Sequence, residues 1–282
     1  MPSAAKRKPS PEPDMGDGGQ STRRSANPRA RDVSSPANDS SVTGRKRWQP
    51  LTHAEVHTIA AKVRMNGRHA SADVALFYML LATGAKPLEL ARVRVRDVLA
   101  PDGSIRSDAT LPASASICGE ARQMYLRSQP VREALADYVR FRQANGHCTS
   151  NSGCYHGLDP DSMLFVDGAG RPYEIEIHGP KGNRYLCRGI LEASRRIFRQ
   201  SGIPGLCSKT LRRTLANRLH ARGATVDEIG DVLGMRDRRT VRQLLDLPPA
   251  RTKNLGELFD DVVPMAERRR DGDTPSGPET LS

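Results

Sequence analysis

Aromatic residues are scarce in this 282-residue chain, at 4%, with one tryptophan (Trp48) and no tyrosine after Tyr185. Proteins that hold single-stranded nucleic acid usually stack successive bases on aromatic rings, and a chain this poor in rings offers no such platform. Long apolar runs are missing as well. No stretch approaches the ~20 residues that span a bilayer, and the N-terminus has no secretory apolar segment. A soluble, cytoplasmic chain without a membrane partner is therefore expected. The five cysteines (Cys118, Cys148, Cys154, Cys187 and Cys207) are scattered and odd in number. They form no disulfide framework and fit a reducing compartment.

What the chain has in excess is positive charge. Lys and Arg number 44 against 32 Asp and Glu, a formal net charge of +12, with an isoelectric point near 9.9. Such a balance favours polyanionic partners, above all nucleic acid. With so few rings, the duplex backbone fits better than stacked bases. Residues 1–47 are rich in Ser, Pro, Gly, Asp and Arg and almost devoid of large aliphatics. They cannot bury enough surface to offset their ordering entropy, and 263–282 read the same way. Between these two expected disordered tails, 48–262 suffice for one core of ordinary size. The clusters Lys6-Arg7-Lys8 and Arg45-Lys46-Arg47 read as solubilising charge, and the second is also placed to run along a DNA backbone as an arm.

Local signals divide the middle of the chain. Thr52-His53-Ala54-Glu55 has the form of a capping box that opens a first helix. Val74, Phe77, Leu80 and Leu81 recur at helical spacing over Ser71–Thr83, and Gly84 suits a left-handed stop. From Val93 to Tyr125, short β-prone pieces (Val93–Val95, Ala109–Leu111 and Gln123–Leu126) alternate with turn signals and predict a small antiparallel sheet of about three strands. A helix over Val131–Ala144 follows. Then comes a loop-rich 145–184, broken by a short buried strand or edge piece at Met163–Val166. Further helices are expected over Arg188–Gln200, Lys209–Arg222, Val226–Leu233 and Arg239–Asp246, with Gly223 and Gly234 as stops.

Three segments resemble the catalytic domain of tyrosine recombinases, the phage-integrase-like DNA strand exchangers. Gly84-Ala85-Lys86-Pro87-Leu88-Glu89-Leu90 stands where that family has Gly-x-Arg-x-x-Glu-Leu. Lys209-Thr210-Leu211-Arg212-Arg213-Thr214 stands for His-x-Leu-Arg-His-Thr, and Leu233-Gly234-Met235 for Leu-Gly-His. The nucleophilic tyrosine falls nine residues after that last position, at Leu244. The resemblance covers Leu51 to Leu245. It implies a mixed α+β, mainly helical fold, tyrosine-recombinase catalytic-domain-like, with a small antiparallel sheet and disordered tails.

In that family a tyrosine attacks a backbone phosphate, two arginines hold its oxygens, a hairpin lysine protonates the leaving oxygen and two further groups assist. Carried over position by position, only Arg212 survives intact. Lys86 keeps a charge but loses the bidentate fork of arginine. The stretch Ser104–Ser128 contains no lysine, and Arg122 nearby cannot release a proton at neutral pH. Lys209, Met235 and Leu244 replace the two histidines and the nucleophile. The resemblance thus implies no catalytic set but a phosphate-gripping one: Lys86, Lys209 and Arg212, joined by Arg213, Arg236, Arg238, Arg239 and Arg242. Lys209 and Arg212, three apart, are neighbours on one helix surface. The bland alternative for all of these is solvated surface charge. Family members usually carry an N-terminal helical DNA-clamping domain, whereas only 1–47 precede Leu51 here, which implies weak independent site-specific binding unless a partner or oligomer supplies the other half.

Residues 224–245 also fit a helix-turn-helix, with Ile229, Val232, Leu233, Val241 and Leu244 between two helices and arginines toward a major groove. His147, Cys148, Cys154 and His156 match no common zinc spacing, and the alternation of Glu174, Glu176 and His178 reads as a solvated strand face. No metal and no cofactor is expected. The leading expectation is a duplex-DNA-binding, nucleoid-associated accessory or regulatory factor in recombination or integration, on a mobile element or chromosome, partnered by a complete recombinase or by its own oligomer. An active recombinase with atypical residues or a nucleophile supplied in trans, a helix-turn-helix regulator and a protein-interaction module are the alternatives.

Overall fold

The computed structural model describes residues 49–178 and 184–248. The expected tails, Trp48, the basic clusters and the outer end of the expected domain lie outside the described residues.

The fold opens where Leu51 donates its amide to the buried Thr214 hydroxyl at 2.9 Å. Helix α1 (His53–Asn66) starts at the expected capping box: Glu55 N–H donates to Thr52 Oγ1 at 3.2 Å, and Thr52 N–H to the Glu55 carboxylate at 2.8 Å. Helix α2 (Ala70–Thr83) is buried along nearly its whole length. It forms the axis against which α1, α5 (Gln129–Ala144), α6 (Arg188–Ser201) and α7 (Ser208–His220) pack.

Gly84 ends α2 in the left-handed region, at φ 61°. A Cβ there would also run into Leu233, the last residue of α8 (Val226–Leu233). Backbone strain and the close approach act together, so Gly84→Ala is expected to cost about 1–3 kcal/mol. An unchanged urea midpoint would show that α8 shifts at no cost.

Two short helices, α3 (Pro87–Leu90) and α4 (Val95–Val98), follow, and the sequence reading had neither. Val93–Val95 was expected to be a strand. It makes one bridge, Arg94 to Met163, before Asp97 caps Arg94 N–H at 2.8 Å and starts a helical turn. The expected three-stranded sheet is therefore a two-stranded one. Strands β1 (Asp108–Leu111) and β2 (Arg122–Tyr125) pair antiparallel, with Asp108 opposite Tyr125 and Leu111 opposite Arg122.

Met163–Val166 is likewise no ladder strand. Arg142, fully buried, donates to the carbonyls of Met163 and Leu164 at 2.9 and 3.0 Å, taking acceptors a strand partner would use. A second antiparallel pair joins β3 (Glu176–His178), where the alternation of Glu176 and His178 reads as a strand, to β4 (Arg184–Leu186), which has no counterpart in the sequence reading.

Helices α6, α7 and α8 stand where expected, α7 ending two residues early at His220. Helix α9 runs over Arg238–Leu244, one residue ahead of expectation at its start, because the Asp237 side chain accepts from Arg239 N–H. Asp246, expected to be helical, has a φ of 55° and lies beyond the helix end. Val241, Leu244 and Leu245 join Ala216, Ile229 and Leu233 in a small apolar cluster of their own.

Candidate nucleic-acid interface

One cleft, of about 800 Å³, gathers most of the positions singled out from the sequence. Lys86 enters from the N-terminal side of α3, Lys209, Arg212 and Arg213 from the first turns of α7, and Met235 and Arg236 from the loop after α8. Leu244 closes it from the end of α9. Arg238, Arg239 and Arg242 are not among its lining residues; the first two are exposed at the start of α9.

Several of these cations already have partners. Arg213 pairs with Asp246. Arg236 reaches Glu120 at 2.5 Å and the Cys118 carbonyl at 3.2 Å. Arg238 pairs with Asp227 at 2.5 Å, and Arg242 donates to the Pro248 carbonyl at 2.8 Å. Arg212 donates to the Leu233 carbonyl at 2.8 Å, at the C-terminal end of α8 where the helix dipole is negative. Burial lowers its pKa, with Arg122 adding to the effect and Glu89 opposing it. Leu244, at 6% exposure, packs into the C-terminal apolar cluster.

The sequence reading missed the groups that hold this site together. Glu89, in the first quoted motif, is a buried acceptor with four donors. Lys86 N–H reaches it at 2.8 Å and Ile117 N–H at 3.0 Å. The Arg122 guanidinium grips both carboxylate oxygens, at 2.8 and 2.7 Å. Both side chains are 5% exposed. The third guanidinium nitrogen, Nε, donates to the Val232 carbonyl at 3.2 Å. Arg122 and Arg212 thus hold adjacent carbonyls at the end of α8. Gly234, the left-handed cap that follows, leaves room for Arg122: a Cβ there would lie 3.0 Å from Nη1.

Desolvation pushes the Glu89 carboxyl up, but the hydrogen bonds and charge of Arg122, with the amides of Ile117 and Lys86, outweigh it and hold the pKa below the usual range. The one available signal was a motif glutamate that needs a cation once buried; which of many arginines answered it was not legible.

His147 and His156 face different neighbours. His147 lies edge-on to Phe141 at 5.7 Å between ring centroids, and the His156 ring covers Gly103. Among the described residues no three His, Cys, Asp or Glu side chains are grouped to hold a metal ion. No described helix is long and apolar enough to cross a membrane.

No protein-family model matches the chain, and no curated protein matches it in sequence. Solved structures do. The crystal structure of XerA recombinase matches with a TM-score of 0.52 at 16% identity, over 79% of this chain and 68% of that one. The fold is that of a tyrosine-recombinase catalytic domain. The XerH site-specific recombinase bound to difH substrate aligns at a TM-score of 0.49 and 15% identity, this chain spanning 54% of its length. The Tn1549 transposon integrase with transposon right-end DNA aligns at 0.45 and 14%. At these identities the likeness is one of fold. Within the tyrosine-recombinase fold, Lys86, Lys209, Arg212, Met235 and Leu244 converge on a single cleft although they come from four separate segments.

Proposed function

We propose that this chain binds duplex DNA through a tyrosine-recombinase fold that has lost the means to cut it, acting as an accessory or regulatory factor in DNA recombination or integration. The observation that carries the reading is the cleft itself. Three cations and two apolar side chains meet there, at the five positions where the sequence resemblance assigns a catalytic set. The cations suit a phosphate, whereas a buried leucine has no nucleophile to offer. XerA is a recombinase, and a strand-exchanging ancestor accounts for fold and cleft together. The working unit is taken as residues 48–262, with a complete recombinase or a second copy as the partner that completes a grip on the duplex, in the cytoplasm with the nucleoid.

The test is trapping of a covalent intermediate on a nicked duplex. No adduct is expected on a denaturing gel; one at any residue, found by mass spectrometry, would overturn the reading. Leu244→Tyr alone is expected to restore nothing. Acid–base groups contribute roughly 10²–10⁴-fold each, and neither a hairpin lysine nor the second histidine is present. The larger ring is also expected to destabilise the cluster around Leu244 by about 1–3 kcal/mol. Adding Lys86→Arg, Lys209→His and Met235→His is expected to give slow cleavage of the nicked substrate.

A further inference from the structure

The cleft does not end at Ser208. That serine, half-buried in the first turn of α7, also lines a second hollow of about 590 Å³, formed by α6 and the loop 202–207. Arg195 and Arg199, one turn apart on α6, line the hollow too, beside the apolar Phe198, Ile203 and Leu206. No Asp or Glu among the described residues lines it. The cause lies in the sequence. From Ala193 to Val226 the chain holds eight Lys and Arg and not one Asp or Glu.

Not all of that charge is open. Arg196 is taken by the buried Asp73 at 2.6 Å, and Arg195 is held by Glu192 at 2.5 Å. Arg199 is exposed and has no partner among the described residues, and the Ser208 hydroxyl has none either. Lys62 reaches over from α1, donates to the Ser201 carbonyl at 3.1 Å and places a further cation beside Gly202, at the rim.

An open guanidinium and a hydroxyl on a wall free of acids suit a phosphate. Continuity with the cleft through Ser208 indicates which kind. A free phosphate fills one pocket. A nucleic-acid strand carries a charge every ~3.4 Å of its axis and fills adjoining pockets in turn.

We propose that the hollow between α6 and the loop 202–207 is a second phosphate site, where Arg199 and Ser208 hold the DNA strand whose neighbouring phosphate lies in the cleft. This rests on the duplex-binding reading above and extends the grip from α7 onto α6.

The full chain is titrated onto a labelled duplex over a range of salt. Arg199→Ala is expected to lower the salt slope by about 0.9, the share of one phosphate, and to weaken binding roughly eightfold at 0.1 M salt. Ser208→Ala removes no charge and is expected to weaken binding about fivefold at an unchanged slope. The control is Arg132→Ala on α5, an exposed arginine that also has no partner among the described residues and lines neither the hollow nor the cleft. Its slope should stay at that of the parent. None of the three positions is buried, and an unaltered unfolding midpoint shows that the variants fold.

An Arg199→Ala variant that behaves like Arg132→Ala overturns the second site. If Lys209→Ala still weakens binding in that case, the duplex reading survives alone. A loss in Arg199→Ala without one in Lys209→Ala keeps the hollow and overturns the cleft as the grip. A parent chain that binds no duplex overturns both. If inorganic phosphate raises the unfolding midpoint of the parent but not of Arg199→Ala, while duplex affinity is the same in the two, the hollow holds a free anion and the proposal fails.

Discussion

Arg122→Ala should be the most damaging single substitution in the site. It removes both bonds to Glu89 and the bond to the Val232 carbonyl, and it leaves a carboxylate that is 5% exposed without its cation. Breaking one side of a buried pair costs about 3–5 kcal/mol. For a domain of this size that is a fall of roughly 6–20 °C in Tm. Replacing both partners with apolar side chains, Glu89→Leu with Arg122→Met, should recover much of the loss, because no charge is then stranded.

The pH dependence follows from the same pair. Glu89 titrates lower in the folded chain than in the unfolded one, so its contribution is fully present above the unfolded carboxylate value of about 4.3 and is lost as pH falls through the folded value. Acid unfolding of Glu89→Gln should accordingly be shallower than that of the parent. If Arg122→Ala melts with the parent, the pair does not organise the site. The Ile117 amide and the end of α8 are then held by packing alone.

Duplex affinity is expected to fall steeply with salt. Eight cations were assigned to the backbone from the sequence, yet Arg213, Arg236 and Arg238 each face a carboxylate, of Asp246, Glu120 and Asp227 respectively. A carboxylate that stays beside its arginine repels an incoming phosphate. Five remaining contacts give a slope of about −4.5, or on the order of 500-fold between 50 and 200 mM salt. All eight would give about −7. Neutralising Asp246, Glu120 and Asp227 as amides should therefore raise both affinity and slope. Arg212→Ala should weaken all duplexes alike, by about 1–3 kcal/mol for a charged hydrogen bond, while also releasing the Leu233 carbonyl. A salt-independent affinity would place these cations on an ordinary solvated surface.

The amino-acid sequence by itself determined the helical frame, because its signals are local. The Thr52–Glu55 box, the apolar spacing of α2 and the glycines at 84 and 234 act within a turn of where they stand. It also singled out Lys86, Lys209, Arg212, Met235 and Leu244 together, through the order of three motifs, and the five line one cleft. Tertiary structure alone decided what each side chain does. Val93–Val95 has the composition of a strand, but after a single bridge to Met163 Asp97 caps it into a helical turn, and the carbonyls of Met163 and Leu164 are taken by Arg142. Arg122 read as a weak stand-in for a missing lysine. Its partner Glu89 lies 33 residues away, and ion pairs at such separations leave no periodic trace in the sequence. The same holds for the carboxylates opposite Arg213, Arg236 and Arg238. Charge and hydrophobicity can be read along a chain, but pairing is a property of distance, and distance is set only when the core closes.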